Sequence, residues 1–271
     1  MNNTDKKTEL ENILRGLDSA AVAFSGGTDS SFLLKTAHEI LGDKVFAVTA
    51  RMKAVPEKEL SEAEEFCLKY GIKQICIDFD MLNVEGFAAN TPERCYVCKK
   101  ALFTGIKEIA AKNGAACVIE GSNLDDEGDY RPGLRAIKEL GVRSPLKEAG
   151  LTKTDIRVFS REMGLDTWKK PSMACLASRI PYGDEITAEK LKQIELAEKF
   201  LLECGFTQVR VRLCRDTARI EILPEEFPVM LEEKTREAVY KTLKALGFSY
   251  VTLDIKGYRS GSMNETLEDI K

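Results

Sequence analysis

Histidine is almost missing: the 271 residues contain one, His38, in the stretch FLLKTAHEIL of an apparent amphipathic helix. A lone helical histidine reads as structural, which leaves little room for a histidine general base or an imidazole-rich zinc site. Also missing is any apolar run near the roughly 20 residues that a membrane helix needs. The opening MNNTDKKTEL is polar where a signal peptide would be apolar. The expectation is a cytoplasmic protein with no membrane partner. Nor is there a basic surplus: 40 Lys+Arg against 44 Asp+Glu give a net charge of −4, so bulk capture of nucleic acid is disfavoured. No internal repeat or low-complexity tract is found.

What is present suits a globular chain with one large core or two modest ones, since 44% of residues are hydrophobic and 31% charged. From residue 19 to about 165, short apolar runs (20–24, 45–50, 74–79, 116–121) alternate with longer helical patterns. Such alternation predicts a doubly wound α/β domain with a parallel sheet over residues 1–167. Residues 168–186, WKKPSMACLASRIPYGDE and its flank, carry two prolines and no period, and read as a crossing loop. Residues 187–271 read as a smaller αββαβ domain. Its first helix has Thr187 as N-cap and Gly205 as stop, a hairpin turns at Arg215-Asp216, and a long helix spans about 224–246 before a last strand, SYVTLDI. With 14 Lys/Arg against 15 Asp/Glu from residue 187 onward, this part is not a basic module either.

The strongest local signal is AAVAF-SGGTDS-SFLLKTAHEIL, a strand, a turn with Gly26 and Gly27, and a helix start. This arrangement points backbone N–H groups and a helix N-terminus at one spot, which suits an anion. Ser25, Thr28, Ser30 and Ser31 can add hydroxyl donors. Asp29 would repel a phosphate, so it either binds Mg²⁺ or orders the turn. The loop matches neither GxxxxGK[ST] nor GxGxxG; it resembles the SGGxDS signature of the PP-loop ATP pyrophosphatases, which cleave ATP between its α and β phosphates to adenylate a substrate.

Eight cysteines form the second signal. Cys95 and Cys98 make a CxxC at or near a helix start, beside Arg94, Lys99 and Lys100, a setting that favours thiolate. With Cys175, in the irregular stretch after residue 168, they number three thiolates, enough to hold three irons of a [4Fe-4S] cluster. A redox pair or a four-cysteine zinc site remain open on spacing alone. Cys67, Cys76, Cys117 and Cys204 read as core filler, and Cys214, at the hairpin, is ambiguous. Asp125, Asp126 and Asp129 follow a strand end where α/β ligands gather, and would hold metal, orient Arg131 or simply be solvated. Glu221 reads as a partner-recognition residue or an outward-facing one, and GYRSGSMN as a polar loop or an ordered closure.

Taken in order, SGGTDSSFL, PERCYVCKKALF, EGSNLDDEGDYRPGLRA, RSPLKE, CLASRIPYG, QVRVRLCRDTARIEI and YVTLDIKGYRSGSMNETL resemble the LarE-type sulfur transferases of nickel-pincer nucleotide cofactor synthesis. The resemblance implies that ATP, lodged on residues 25–30, adenylates a carboxylate of pyridinium-3,5-biscarboxylic acid mononucleotide. Sulfur then displaces AMP to leave a thiocarboxylate, and the second carboxylate follows. It also implies a substrate-phosphate site at Ser178, Arg179, Arg210 and Arg212; on residues alone, the two strand arginines could equally be a solvated face. One branch of the family sacrifices an active-site cysteine sulfur; the other holds [4Fe-4S] on three cysteines. The presence of Cys95, Cys98 and Cys175 points to the cluster branch, with a sacrificial Cys175 as the alternative. A tRNA thiolase of the same superfamily is a further alternative that the net charge does not support. A homo-oligomer is expected; the sulfide source is left unassigned.

Overall fold

The computed structural model describes residues 3–128, 132–171, 174–259 and 261–265, and in it the four apolar runs become parallel strands of one sheet. These are β1 (Ala20–Ala23), β2 (Val45–Arg51), β3 (Gln74–Asp78) and β4 (Cys117–Ile119), in the order β3-β2-β1-β4. Parallel neighbours need crossovers, and α2 (Thr28–Leu41), α3 (Glu57–Tyr70) and α4 (Arg94–Lys112) supply them, while α1 (Asn3–Arg15) precedes β1 and α5 (Pro132–Glu139), α6 (Pro145–Glu148) and α7 (Lys153–Glu162) follow β4. Successive strand residues face opposite sides. Ala20 and Val22 therefore join one core with Leu10, Phe32, Phe66 and Ile156, while Ala21 joins another with Phe46, Phe103, Ile106 and Ile137. The order reverses at β1, because β2 and β3 lie to one side of it and β4 to the other. Ligands of such sheets bind at the carboxyl ends of the strands where that reversal opens a crevice.

Two compact units divide the chain, one of Met1–Glu85 and Pro92–Met173, the other of Gly86–Thr91 and Ala174–Lys271. The segment read as a crossing loop is thus shared, 168–173 with the first unit and 174–186 with the second. The excursion 86–91 carries no sequence pattern that marks it. Asn90, fully buried at φ 51°, donates from its amide to the carbonyls of Ile180, Pro181 and Asp184 at 3.2, 2.6 and 2.9 Å. It thereby organises a proline-interrupted stretch that has no ladder of its own.

In the second unit, α8 (Ala188–Glu203) begins as expected, the Thr187 hydroxyl accepting from Lys190 N–H. β5 (Arg210–Cys214) and β6 (Thr217–Glu221) form the hairpin, with Arg215 at φ 58°, and β7 (Tyr250–Leu253) pairs parallel to β6. The single helix expected over 224–246 is instead three pieces: a 3₁₀ turn (Pro224–Glu226), α9 (Phe227–Leu231) and α10 (Glu233–Ala245). Pro228 has no N–H for a continuing helix and sits in the first turn of a new one. Glu232 then takes extended backbone, ψ 135°, before α10 starts.

Candidate active site

The SGGTDS turn lies between the end of β1 and the first turn of α2. Gly26 has φ +72°, and a Cβ there would stand 3.1 Å from Ala63 Cβ and 3.4 Å from the Glu59 carbonyl, so conformation and space both require glycine. Gly27 is the N-cap of α2 and has no side chain to cap it, which leaves the first-turn N–H groups facing the turn. Ser30 Oγ lies 3.1 Å from Ser25 Oγ and donates to the Gly27 carbonyl at 3.3 Å. Not every expected donor faces a ligand. The Thr28 hydroxyl donates to the Thr167 carbonyl at 2.8 Å, and Ser31 is fully buried with no hydrogen-bond partner for its Oγ among the described residues.

Asp29 has one satisfied oxygen and one orphan. Lys153 Nζ, at the start of α7, donates to Oδ2 at 2.5 Å, while Oδ1 is buried with no hydrogen-bond partner among the described residues. Burial pushes the Asp29 carboxyl above its ordinary range, and the Lys153 ammonium opposes that rise. A half-buried carboxylate with one buried oxygen left over, beside a phosphate-type loop, has the chemistry of a Mg²⁺ ligand. Asp125 serves structure: its carboxylate accepts from Lys153 N–H at 2.9 Å. Asp126, buried, accepts from Asn123 N–H at 2.9 Å. Asp129 and Arg131 lie outside the described residues. Gly121, just past β4, comes so near α2 that a Cβ would meet Ser30 N at 3.0 Å.

A second lysine also reaches the turn. Lys170 Nζ donates to the Gly26 carbonyl at 2.9 Å and pairs with Glu59, 3.5 Å away, and with Glu62. Arg157 secures the same segment by donating to the Trp168 and Lys170 carbonyls at 3.1 and 2.9 Å. Sequence reasoning missed Lys153, Lys170 and Gly121. The one available hint was Thr152-Lys153-Thr154-Asp155, a capping box that does form and that fixes where α7 and its Lys153 begin.

Cys95 and Cys98 fall in the first two turns of α4, Cys95 exposed and Cys98 half-buried. Cys175 is exposed and precedes a 3₁₀ turn, Leu176–Arg179. None of the eight cysteines is in a disulfide. Among the described residues no group of three or more His, Cys, Asp or Glu is arranged around a metal position. Cys67 is buried, and burial pushes its thiol up to about 12, as inert filler should be. Cys204 differs from that expectation, since it is exposed at the C-cap of α8.

In the second unit the arginines are more deeply set than a solvated strand face would allow. Arg179 has no exposed surface. Its Nε and Nη2 donate to both oxygens of Glu198 at 2.8 and 2.9 Å, and Nη1 donates to the carbonyls of Ala174 and Cys175 and to Ser178 Oγ. This guanidinium holds the backbone that carries Cys175 and does not face outward. Arg212 is bidentate to Glu221 at 3.1 and 2.9 Å and donates to the Ser178 carbonyl and to Ser262 Oγ, each at 2.8 Å. Glu221 is therefore neither outward-facing nor a partner-recognition residue. It is fully buried and also accepts from Arg219 at 3.1 Å. Through buried Ser262, the GYRSGSMN segment forms part of this closure. Arg210 is buried beside the Tyr258 ring, 5.2 Å to its centroid. Burial, aided by the nearby Arg179 charge, lowers its guanidinium to about 10 despite Glu198. The Arg210 Nη1 donates to the Val209 carbonyl at 2.7 Å.

Residues 19–118 match the family model described as queuosine biosynthesis protein QueC. Over 267 residues the chain is 42% identical to pyridinium-3,5-bisthiocarboxylic acid mononucleotide synthase of Lactiplantibacillus plantarum, a match that covers 97% of this chain and 95% of that protein. It is 39% identical to the uncharacterized protein slr1717 of Synechocystis sp., with 96% and 98% coverage. A third relative, the uncharacterized protein MJ0830 of Methanocaldococcus jannaschii, is 31% identical over 88% of this chain and 90% of its own length.

Proposed function

Since the chain belongs to the LarE-type, PP-loop family of pyridinium-3,5-bisthiocarboxylic acid mononucleotide synthases, we propose that it inserts sulfur into both carboxylates of the pyridinium mononucleotide through acyl-adenylates made from ATP. The observation that carries this reading is the SGGTDS turn, whose glycine-only conformation, uncapped helix N-terminus and half-satisfied Asp29 suit a Mg²⁺-bound triphosphate. Backbone N–H groups of residues 27–30 and the Ser25 and Ser30 hydroxyls orient the phosphates, and Asp29 would hold Mg²⁺. A substrate carboxylate oxygen attacks the α-phosphorus. The bond from that phosphorus to the bridging oxygen breaks, and pyrophosphate leaves with the electron pair. Fixed donors stabilise the charge that develops there. A sulfur nucleophile then adds to the acyl carbon, and the C–O bond breaks to release AMP. The substrate phosphate is assigned to Arg210, Arg212 and Ser178, with Arg179 as the positioning residue behind them.

Cys95, Cys98 and Cys175 fit a [4Fe-4S] cluster by donor chemistry: three thiols outside disulfides, two of them one helical turn apart in the first two turns of α4. When bound, such a cluster supplies an inorganic sulfur donor that stays deprotonated at neutral pH. The exposure of Cys175 also supports a second reading, in which its own Sγ adds to the acyl carbon. Its Cβ–Sγ bond then breaks with loss of the Cα proton, leaving dehydroalanine. Iron and sulfide analysis of anaerobically purified protein, with intact mass after turnover, separates the two. The expected result is about four iron and four sulfide per chain and an unchanged Cys175. Iron-free protein that makes product once and loses sulfur at residue 175 would establish the sacrificial route instead.

A further inference from the structure

Besides pairing with Glu59 and Glu62, the Lys170 ammonium donates to one backbone carbonyl of the loop, Gly26 O at 2.9 Å. A trans peptide is planar, with its C=O and its N–H pointing in opposite directions. Holding the Gly26 carbonyl therefore also sets where the Gly27 N–H points, which in this structure is toward Ser25 Oγ, 3.4 Å away. The Gly26-Gly27 peptide is the most easily inverted unit of the loop, because both residues tolerate positive φ. A half-turn of the peptide plane carries Gly27 from φ −76° to about +104°, a region in which glycine alone is at ease. The inverted peptide would aim a carbonyl, not an N–H, at the anion.

We infer that Lys170 is a positioning residue that locks the Gly26-Gly27 peptide with its N–H toward the nucleotide. The lock is itself anchored. Glu59, 3.5 Å away, and Glu62 flank the ammonium from α3, and Arg157 grips the Lys170 carbonyl at 2.9 Å. Ala63 of α3 also lies against Gly26 at the Cβ position, 3.1 Å away. Binding of ATP then costs less, because the competent loop is already the populated one. An apparent dissociation constant rises in inverse proportion to the competent fraction, so a loop left about one-tenth competent binds about tenfold more weakly.

The inference rests on the ATP reading and is tested by binding alone, with Mg²⁺-ATP titrated calorimetrically. Lys170→Met is expected to weaken ATP binding about tenfold with the thermal transition of the first unit retained. Lys170→Arg, which still donates to the carbonyl, stays within about threefold of the parent. The decisive variant is Gly27→Ala, whose side chain disfavours the inverted peptide. In that background, Lys170→Met should cost clearly less than it does in the parent. Should Lys170→Met fail to fold, Lys170→Gln carries the same comparison. Equal ATP affinity with and without Lys170, or an undiminished loss in the Gly27→Ala background, would overturn the lock. Absence of ATP binding by the unaltered protein would instead overturn the ATP reading itself.

Discussion

Cys175→Ser is expected to lower thiocarboxylate formation by about a thousandfold or more, the scale on which loss of a reacting nucleophile acts, while adenylation of the substrate, read as pyrophosphate release, continues. The two halves of the reaction separate because they draw on different residues. The phosphate turn is built by residues 25–30 with Lys153 and Lys170, all in the first unit. Cys175 belongs to the second unit, on a turn held by Arg179. A serine hydroxyl neither binds iron as thiolate does nor donates sulfur, so both routes to sulfur lose their centre. Cys95→Ser and Cys98→Ser then tell the routes apart. Under the cluster reading each lowers sulfur insertion as Cys175→Ser does, whereas a sacrificial Cys175 would leave both near the parent rate. The assay is mass spectrometry of the mononucleotide product alongside pyrophosphate release.

A comparably large effect, on stability, is expected at Glu198. Its partner Arg179 has no exposed surface, and both carboxylate oxygens are occupied by that guanidinium, with Val211 N–H a further donor at 2.9 Å. Glu198→Ala strands a buried cation and a buried N–H. Breaking such a pair from one side costs about 3–5 kcal/mol, or upwards of about 12 °C in the melting temperature of the second unit at about 4–8 °C per kcal/mol for a unit of this size. The paired change Arg179→Met with Glu198→Leu removes both charges and should recover much of the loss, since the desolvation of both ions is removed with them. Glu39→Ala, which breaks the exposed i,i+4 pair with Lys35, is the contrasting case and should shift stability by less than about 1 kcal/mol. Urea and thermal denaturation read all three.

Much of the scaffold was legible because local patterns dictate it. The strands of the first sheet are apolar runs, β5 and β6 alternate with period two, and Thr187 caps its helix as such residues do. The N-terminal helix α1 escaped notice because its buried stripe is carried by Leu10 and Leu14 among polar neighbours. For the site, SGGTDS was readable because glycine and hydroxyl chemistry is local to six residues. Lys153 and Lys170 were not, since they reach the loop across 124 and 144 residues and a single lysine in a polar segment carries no pattern. The period of β5 put Arg210 and Arg212 on one face, but period alone does not say whether that face is wet. Cross-strand pairing decided it, placing Glu221 within reach of Arg212 and burying both. Spacing alone also could not show that the Thr28 hydroxyl is spent on Thr167.

The proposed chemistry requires a substrate carboxylate, and not water or ammonia, to attack the α-phosphorus of ATP at the SGGTDS turn. Oxygen tracing tests it most directly. With the carboxylates of the pyridinium mononucleotide labelled with heavy oxygen, each sulfur inserted should leave one labelled oxygen on the AMP released, because the carboxylate oxygen that joins phosphorus stays with it when the acyl C–O bond breaks. Unlabelled AMP accompanying labelled substrate that has nonetheless become thiocarboxylate, or ATP cleaved to ADP, would exclude an acyl-adenylate at this turn.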